Sequence, residues 1–305
     1  MLINTYNERI GNTQLVRINS FQNKNINVYA KLEGSNPSGS IKDRSAAYVI
    51  EKLLKEKIIK PDTTIVESSS GNFGIALASY LKNKNMNFVC VIDPKTTECN
   101  YKILSKLCKN IIVADKMDEC GGYLLERIKI VKEYVATHEN SYWINQYTNV
   151  YMKDAYYHTV AEEIVHELNK IDYAFIAVSS GGTISGISTR LKDENPNIKI
   201  IAVDVEGSII FGQKPKKRNI PGIGSSQVPD ILKYAKIDEV VIVNEKESIE
   251  CCNKLIEEDL ILAGGSSGSL YAAIKKYFAG KEFDKPINVV TVFPDKGDRY
   301  MGIIY

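Results

Sequence analysis

The 305-residue sequence lacks the features that define several protein classes. No apolar run approaches the ~20 residues that a membrane-spanning helix needs, and the charged first ten residues lack the apolar core of a secretory signal. Lys and Arg number 39 against 37 Asp and Glu, and the resulting net charge of +2 gives no bulk attraction for nucleic acid. We therefore expect a cytoplasmic globular protein with neither a nucleic-acid nor a membrane partner.

Metal-site and disulfide patterns are also missing. The six cysteines form no Cys-x-x-Cys pair, and none lies near a histidine at zinc-ligand spacing. The three histidines, His138, His158 and His166, show neither metal nor catalytic-triad spacing. Without a secretory signal, the cysteines are expected to be reduced and mostly buried, and no metal is expected. They are Cys90, Cys99, Cys108, Cys120, Cys251 and Cys252.

Short β-branched runs alternate with amphipathic stretches along almost the whole chain. Runs such as 173–178 and 287–293 are apolar nearly without alternation, as strands buried on both faces of a parallel sheet are. Stretches such as 45–54 and 247–257 have helical periodicity. This alternation predicts an α/β fold, and the length suits about two domains. The polar stretch 207–230 is too long for a simple connection and is expected to be functional.

Four polar, glycine-containing segments follow predicted strands or open predicted helices, which is where ligands bind in open α/β sheets. In the first, residues 36–44, Pro37 and Gly39 form a turn that places Lys42 near the start of a helix. The positive end of the helix dipole disfavours the protonated form of a lysine there. Such a lysine can form a Schiff base, although an ordinary surface lysine remains the alternative from this segment alone.

The other three segments suit either an anion or a tight turn. Residues 67–74 (Glu-Ser-Ser-Ser-Gly-Asn-Phe-Gly) and 179–183 (Ser-Ser-Gly-Gly-Thr) present backbone N–H groups at helix starts, which suit a carboxylate or a phosphate. A capping turn is the alternative for the former and a bare turn for the latter. Residues 264–269 (Gly-Gly-Ser-Ser-Gly-Ser) also lead into a helix. Neither a nucleotide P-loop nor a full Gly-x-Gly-x-x-Gly signature is present.

Together these segments resemble the fold-type II pyridoxal-phosphate (PLP) enzymes of the cysteine synthase and cystathionine β-synthase family. The likeness runs over nearly the whole chain, from residues 11–15 to residues 293–300. Within the family, the chain looks closest to enzymes similar to N-(2-amino-2-carboxyethyl)-L-glutamate synthase. That narrower likeness depends on four stretches, residues 142–147, 207–212, 221–224 and 298–300.

The resemblance implies a two-domain architecture with PLP as the cofactor. Each domain is expected to have three α/β/α layers and a mostly parallel sheet, with the active site between the domains. A smaller, mobile N-terminal domain is expected at residues 36–142. Residues 1–35 plus 143–305 are expected to form the larger domain, which binds the PLP phosphate. A homodimer is the family's usual assembly.

The resemblance also implies roles for individual residues. Lys42 matches the lysine that binds PLP covalently, Asn72 matches the asparagine at the ring hydroxyl oxygen, and Ser266 matches the serine at the pyridine nitrogen. The expected phosphate cradle comprises Ser179, Ser180, Gly181, Gly182 and Thr183. The substrate α-carboxylate and its surroundings are assigned to Ser69, Ser70, Gly71, Phe73, Gln146 and Gly222.

Departures from the common family pattern concern the substrates. Phe73 stands where many sulfide-using members have threonine, which reshapes the carboxylate side of the pocket. Arg127 and Tyr147 match positions near the second substrate in glutamate-using relatives, and an arginine can bind a carboxylate there bidentately. Asp230 is a candidate for activating a nucleophile. An exposed helix face is the alternative for Arg127, and an ordinary loop carboxylate is the alternative for Asp230.

The resemblance therefore implies β-replacement through an α-aminoacrylate, from L-cysteine or from O-acetyl- or O-phospho-L-serine. We expect the acceptor to be a second amino acid, either cysteine, giving lanthionine and hydrogen sulfide, or glutamate. A cysteine synthase that uses sulfide, a cysteine lyase that releases hydrogen sulfide and a serine dehydratase are alternatives. A non-catalytic PLP-binding regulatory subunit is an alternative of another class, and the intact Lys42 argues against it.

Overall fold

The computed structural model describes residues 5–117 and 122–305, and within these ranges the apolar runs form two sheets. The larger sheet has the strand order β1 (Leu15–Arg17), β2 (Ile26–Leu32), β10 (Ile287–Phe293), β7 (Tyr173–Ala177), β8 (Lys199–Val205) and β9 (Glu239–Val243). The smaller sheet has the order β5 (Asn110–Val113), β4 (Phe88–Ile92), β3 (Thr64–Ser68) and β6 (Ser141–Trp143). Every neighbouring pair is parallel except β1 with β2.

Helices connect these strands, as parallel pairing requires. They are α1 (Lys42–Lys55), α2 (Asn72–Asn83), α3 (Glu98–Leu107), α4 (Leu124–Thr137), α5 (Tyr151–Tyr156), α6 (Glu162–Glu167), α7 (Gly182–Glu194), α8 (Glu245–Asp259) and α9 (Gly265–Phe278). A π-helical segment, Tyr157–Ala161, continues α5 into α6. None of the helices within the described ranges combines the length and the hydropathy of a membrane span.

The larger sheet is covered by helices on both faces. Successive side chains of a strand point to opposite faces of a sheet. In β7, Ala174 and Ile176 therefore pack in one cluster with Ile184 of α7, whereas Phe175 packs in another with Leu270 of α9. Burial on both faces explains why this strand is apolar without alternation.

The smaller sheet has the same three-layer arrangement. Ile65 of β3 and Cys90 of β4 share a buried cluster with Val49 of α1. On the opposite face, Val66 packs with Val131 of α4. The two sheets and their helices confirm the predicted α/β fold with mostly parallel sheets.

Helix α1 is longer than predicted, and two short strands were not predicted. Helix α1 begins at Lys42 rather than at residue 45, because the preceding turn accepts its first hydrogen bonds: Asp43 N–H donates to Ser40 O, and Arg44 N–H to Ile41 O. Strands β1 and β6 have three residues each, too few to show a period in the sequence. The smaller sheet ends at Trp143, just beyond the predicted boundary at residue 142.

A buried ion-pair network lies where the chain passes from β2 to α1. Arg44, two residues after Lys42, pairs with Glu33 (Nε to Oε2, 2.7 Å) and with Glu163 of α6 (Nη1 to Oε1, 2.6 Å). Lys31 of β2 also pairs with Glu163, at 3.0 Å. Although burial opposes it, contact with Arg44 lowers the pKa of Glu163 to about 2. The network therefore anchors the helix that carries Lys42 to the elements of the larger sheet.

The cysteines of the described ranges are free thiols, and only Cys99 among them is exposed. Cys120 lies outside the described residues. No cluster of three or more histidine, cysteine or acidic side chains that could hold a metal ion occurs between residues 5 and 117 or 122 and 305.

Candidate active site

A cavity of about 250 Å³ lies between the two sheets, at the carboxyl ends of their strands. Ser68 at the end of β3, Ala177 at the end of β7 and Val292 near the end of β10 all line it. The strand ends of both sheets thus border the same cavity, which is the usual position of a ligand site in open α/β sheets. All the candidate residues line this cavity except Gly182 and Asp230.

Lys42, the first residue of α1, reaches across the cavity to the larger sheet. Its Nζ lies 3.4 Å from Ser180 Oγ. The same Nζ lies 5.9 Å from the ring centroids of Phe73 and Tyr156. The preceding residue is fixed as well, because Ile41 N–H donates to Pro294 O at 2.8 Å. The lysine amine therefore lies between Ser180, in the glycine loop of residues 179–183, and the rings of Phe73 and Tyr156.

The glycine loop after β7 forms an anion-binding helix start. Gly181 has φ +86°, a left-handed conformation that favours glycine. A Cβ atom on Gly181 would lie 2.8 Å from Ile231 Cγ2. Gly182 is buried and begins α7, whose first-turn N–H groups have no partner within the helix. Thr183 lines the cavity beside them. This arrangement suits a phosphate group.

Close contacts also constrain the backbone of the loop after β3, residues 69–71. Gly74 N–H donates to Ser69 Oγ at 2.9 Å. A Cβ atom on Gly74 would lie 2.3 Å from Ser69 O, so only glycine allows the loop to fold back this closely. Ser70, Gly71 and Phe73 complete the lining from this loop. Gln146 Nε2 lies 3.5 Å from Ser68 O, which brings the segment after β6 to the same side of the cavity.

Arg127 of α4 faces this loop. Its side chain is 12% exposed, so the alternative of a solvated helix face is wrong. The Nε atom lies 3.3 Å from Asp93 Oδ2, and Nη1 donates to Ser70 Oγ at 3.2 Å. Asn100 Nδ2 donates to Ser70 O at 3.2 Å. Tyr147 is a further lining residue, and burial raises its pKa.

Ser266 and Gly222 complete the predicted lining, and Asp230 does not. Ser266 is buried in the first turn of α9, and Gly222 has φ +93°. Asp230 is exposed at the start of a 3-10 helix, Asp230–Tyr234, outside the cavity lining. The structure therefore does not bring Asp230 to the place where a nucleophile would be activated.

Some lining residues have no role in the sequence-based assignment, and three of these form a cluster. Asp295, Arg299 and Tyr300 follow β10 and lie around Asn72. Asn72 Nδ2 donates to Asp295 Oδ2 at 2.7 Å, and its Oδ1 accepts from the Arg299 guanidinium. A signal was present in the sequence, since Asp295 is a polar residue only two positions after a buried parallel strand.

Comparisons with known proteins agree with this geometry. A family model described as pyridoxal-phosphate dependent enzyme matches residues 6–295. An O-acetylserine-dependent cystathionine beta-synthase from Helicobacter pylori is 33% identical, covers 100% of this chain and 99% of that chain, and has a TM-score of 0.92. A hydrogen sulfide-producing enzyme from Fusobacterium nucleatum is 31% identical, with 98% and 100% covered and a TM-score of 0.90. An O-ureido-L-serine synthase is 25% identical, with 99% and 94% covered and a TM-score of 0.90.

Proposed function

Because the chain belongs to the family of pyridoxal-phosphate-dependent enzymes, we propose that it catalyses a β-replacement in which an amino acid is the acceptor. The family and the PLP cofactor predicted from the sequence are thereby confirmed. The narrower likeness to N-(2-amino-2-carboxyethyl)-L-glutamate synthase remains a prediction. The choice of acceptor depends on one observation, the largely buried Arg127 side chain beside the substrate loop.

The residues of the cavity fit PLP. The group carries an aldehyde, a phosphate and a ring with a hydroxyl oxygen and a nitrogen. The cavity offers an amine at Lys42, a helix start at Gly181 and an amide at Asn72. Ser266 is a neutral hydroxyl at the start of α9. Lys42, Asn72, Ser266 and the loop of residues 179–183 would hold the cofactor.

When bound, PLP withdraws electron density from the substrate Cα, so that the Cα proton and the β-substituent can leave. Lys42 is the proposed base that removes the Cα proton and later returns it. The loop of Ser69, Ser70 and Gly71 with Gln146 is the proposed site of the substrate α-carboxylate. Its backbone N–H groups open α2, where an anion is stabilised. Phe73 packs beside Lys42 and excludes water there.

The structural relatives support an O-activated L-serine as donor. The Helicobacter pylori protein is described as O-acetylserine-dependent, and a second relative makes O-ureido-L-serine. We include O-acetyl- and O-phospho-L-serine as donor candidates. L-Cysteine remains a further one, since a third relative produces hydrogen sulfide.

An amino-acid acceptor is proposed because of how Arg127 is held. Among the described residues, Asp93 contacts its Nε edge and Ser70 contacts Nη1, and the side chain lines the cavity in which a ligand would bind. A guanidinium binds a carboxylate through such N–H groups more strongly than a neutral donor does. Glutamate and cysteine both carry a carboxylate, whereas sulfide does not. Arg127 therefore favours the former two as acceptors.

The test pairs each donor with L-glutamate, L-cysteine and sulfide, and identifies the products by mass. Replacing Arg127 with Ala should raise the KM of the amino-acid acceptor about tenfold or more, because a charge-assisted hydrogen bond is lost. The sulfide reaction should lose much less, because there Arg127 acts only through its hydrogen bond to Ser70. Arg17→Ala removes an exposed arginine from β1 and serves as the control. Equal losses with sulfide and amino acids, or product formation from sulfide alone, would contradict the proposal.

Two further proposals concern the assembly. We propose that residues 36–142 form a domain that closes over the substrate, since the smaller sheet lies almost wholly within this range. We also propose a homodimer, as the family resemblance implies. Sedimentation with and without substrate would reveal the stoichiometry and any compaction.

A further inference from the structure

The cluster at the end of β10 has no part in the reaction as proposed so far. Asp295 and Arg299 contact the two ends of one amide, that of Asn72. The amide Nδ2 donates to Asp295 Oδ2 at 2.7 Å, and the amide Oδ1 accepts from the Arg299 guanidinium. The amide is thus held between two side chains of opposite charge.

These charges determine which way the amide faces. A rotation of 180° would bring the amide N–H groups against the guanidinium and the amide oxygen against the carboxylate. Asparagine orientations are often close in energy, and neighbouring groups decide between them. Here both neighbours favour the same orientation. One N–H of Asn72 is used by Asp295, and no residue in the described ranges accepts the second, which remains for a ligand in the cavity that Asn72 lines.

Asp295 is itself firmly placed. It is 4% exposed, and its Oδ2 also accepts from the Tyr300 hydroxyl at 2.5 Å. Its backbone O accepts from Gly264 N–H at 3.1 Å. A Cβ atom on Gly264 would lie 1.9 Å from Asp295 Oδ1, so a glycine is needed there. Burial raises the pKa of Asp295, and the contacts with Tyr300 and Asn72 oppose this rise.

Arg299 connects the same amide to the segment that carries Lys42. Its guanidinium donates to Ser38 O as well as to Asn72. A Cβ atom on Gly39, which has φ +86°, would lie 3.2 Å from Arg299 Nη2. The arginine therefore lies against the turn that precedes α1.

We propose that Asp295 and Arg299 are positioning residues that fix the Asn72 amide, so that its remaining N–H faces the ring oxygen of PLP. Only the assignment of Asn72 to the cofactor is taken from the proposed function. An N–H donor at that oxygen stabilises its ionised form. The orientation of one amide thus controls both the affinity for PLP and the position of its visible absorption band.

The experiment titrates apoenzyme with PLP and records the dissociation constant and the visible spectrum. The variants are Asn72→Ala, Asp295→Asn and Arg299→Gln, together with the two double variants that contain Asn72→Ala. Asp295→Asn keeps the shape but accepts either orientation of Asn72. Each single variant should raise the dissociation constant about tenfold, as expected for a lost hydrogen bond in a buried site, and should shift the band.

The double variants separate positioning from a general structural role. If both residues act through Asn72, adding either substitution to Asn72→Ala should produce no further change. Additive losses would overturn the inference, as would single variants with the affinity and spectrum of wild type. Arg299→Lys retains the charge and should recover part of the affinity. If Asp295→Asn fails to fold, the Arg299 variants carry the same test.

Two controls complete the design. Asp298→Asn removes an exposed carboxylate from the same segment, outside the cavity lining, and should leave affinity and spectrum unchanged. The Tm of each apoenzyme shows whether a variant is folded before PLP is added. Failure of wild-type apoenzyme to bind PLP would instead refute the proposed function, and this inference with it.

Discussion

The two sheets bring different kinds of group to one cavity. The larger sheet supplies the helix start at Gly181, whose donors are backbone N–H groups. The smaller sheet also leads to a helix start, at Asn72, and in addition supplies several side chains, among them Ser70, Arg127 and Gln146. Backbone donors depend on the path of the chain, whereas side chains can be exchanged on an unchanged path. We infer that binding of the cofactor phosphate depends mainly on the backbone path beside the larger sheet, and that substrate choice depends mainly on side chains beside the smaller sheet.

The sheets nevertheless share one feature, a buried acid at or near the end of a strand. Glu67 Oε1 accepts from Ser68 N–H, and Asp204 Oδ1 accepts from Val205 N–H, both at 2.9 Å. Burial raises the pKa of both acids, that of Glu67 to about 7. Trp143 Nε1 lies 3.4 Å from Glu67 Oε1, so this acid also joins β3 to β6. These are the strands that lead to the proposed substrate loops.

The largest effect is expected for Lys42, which begins α1 and reaches Ser180 beside the larger sheet. Lys42→Ala should lower kcat by about three orders of magnitude or more, because both the covalent contact and the proton transfer are lost. Stopped-flow absorbance and product assays would measure the loss. PLP should still bind through the glycine loop. Near-normal turnover would show that another group is the base, and would break the assignment of Lys42.

A second prediction compares the buried acids Glu67 and Asp204 by the pH dependence of the free energy of unfolding. The folded-state pKa of Glu67, about 7, lies above its ordinary value of 4.5, so its contribution to stability is complete below pH 4.5 and is lost as pH rises through 7. Glu67→Gln cannot ionise. Relative to wild type, the free energy of unfolding of this variant should therefore rise by about 3 kcal/mol between pH 4 and pH 8.

Urea unfolding at several pH values would measure this difference. Asp204→Asn, in the larger sheet, should show a change of the same sign, because burial raises that pKa as well. A difference that stays constant with pH for Glu67→Gln would show that the carboxyl is not perturbed. Substrate KM should respond to Glu67→Gln alone, since only Glu67 contacts strands that lead to the proposed substrate loops.

The smallest effect is expected at the glycine loop. Gly181→Ala places a side chain at φ +86° and within 2.8 Å of Ile231. PLP affinity should fall about tenfold from this strain, with little change in substrate KM at saturating PLP. Gly280→Ala is the matched control, with φ +71° and nothing within 4 Å of the added Cβ. A changed substrate KM for Gly181→Ala would contradict the division of tasks between the sheets.

Much of the cavity lining could be predicted because it is local in sequence. Lys42, Asn72 and the loop at Gly181 each stand directly beside a strand end or a helix start, and those patterns are visible in the chain itself. The fold class could be predicted as well, because the apolar runs of the buried strands are also local in sequence. The short strands β1 and β6 could not be predicted, because three residues show no period.

The rest of the site depends on tertiary contacts that no local pattern reports. Arg127 stands between the charged residues Glu126 and Lys129 in the sequence, so the sequence could not distinguish a cavity-facing side chain from a solvated one. Asp295 and Arg299 acquire their partner only because the end of β10 meets the start of α2. Asp230 follows the loop glycines in sequence, yet the chain turns it outward before it reaches the cavity.

The pairing of β2 with β10 has a consequence for how the chain is made. Ile26 pairs with Ile287 and Leu32 with Phe293, so an early strand has its neighbour near the other end of the chain. On the ribosome, β2 and its antiparallel partner β1 emerge long before β10 does, and one edge of β2 stays open meanwhile. Such non-local pairing makes folding slow and exposes the nascent chain to aggregation. The larger sheet is therefore completed only late in synthesis, and chaperones are expected to shield it until then.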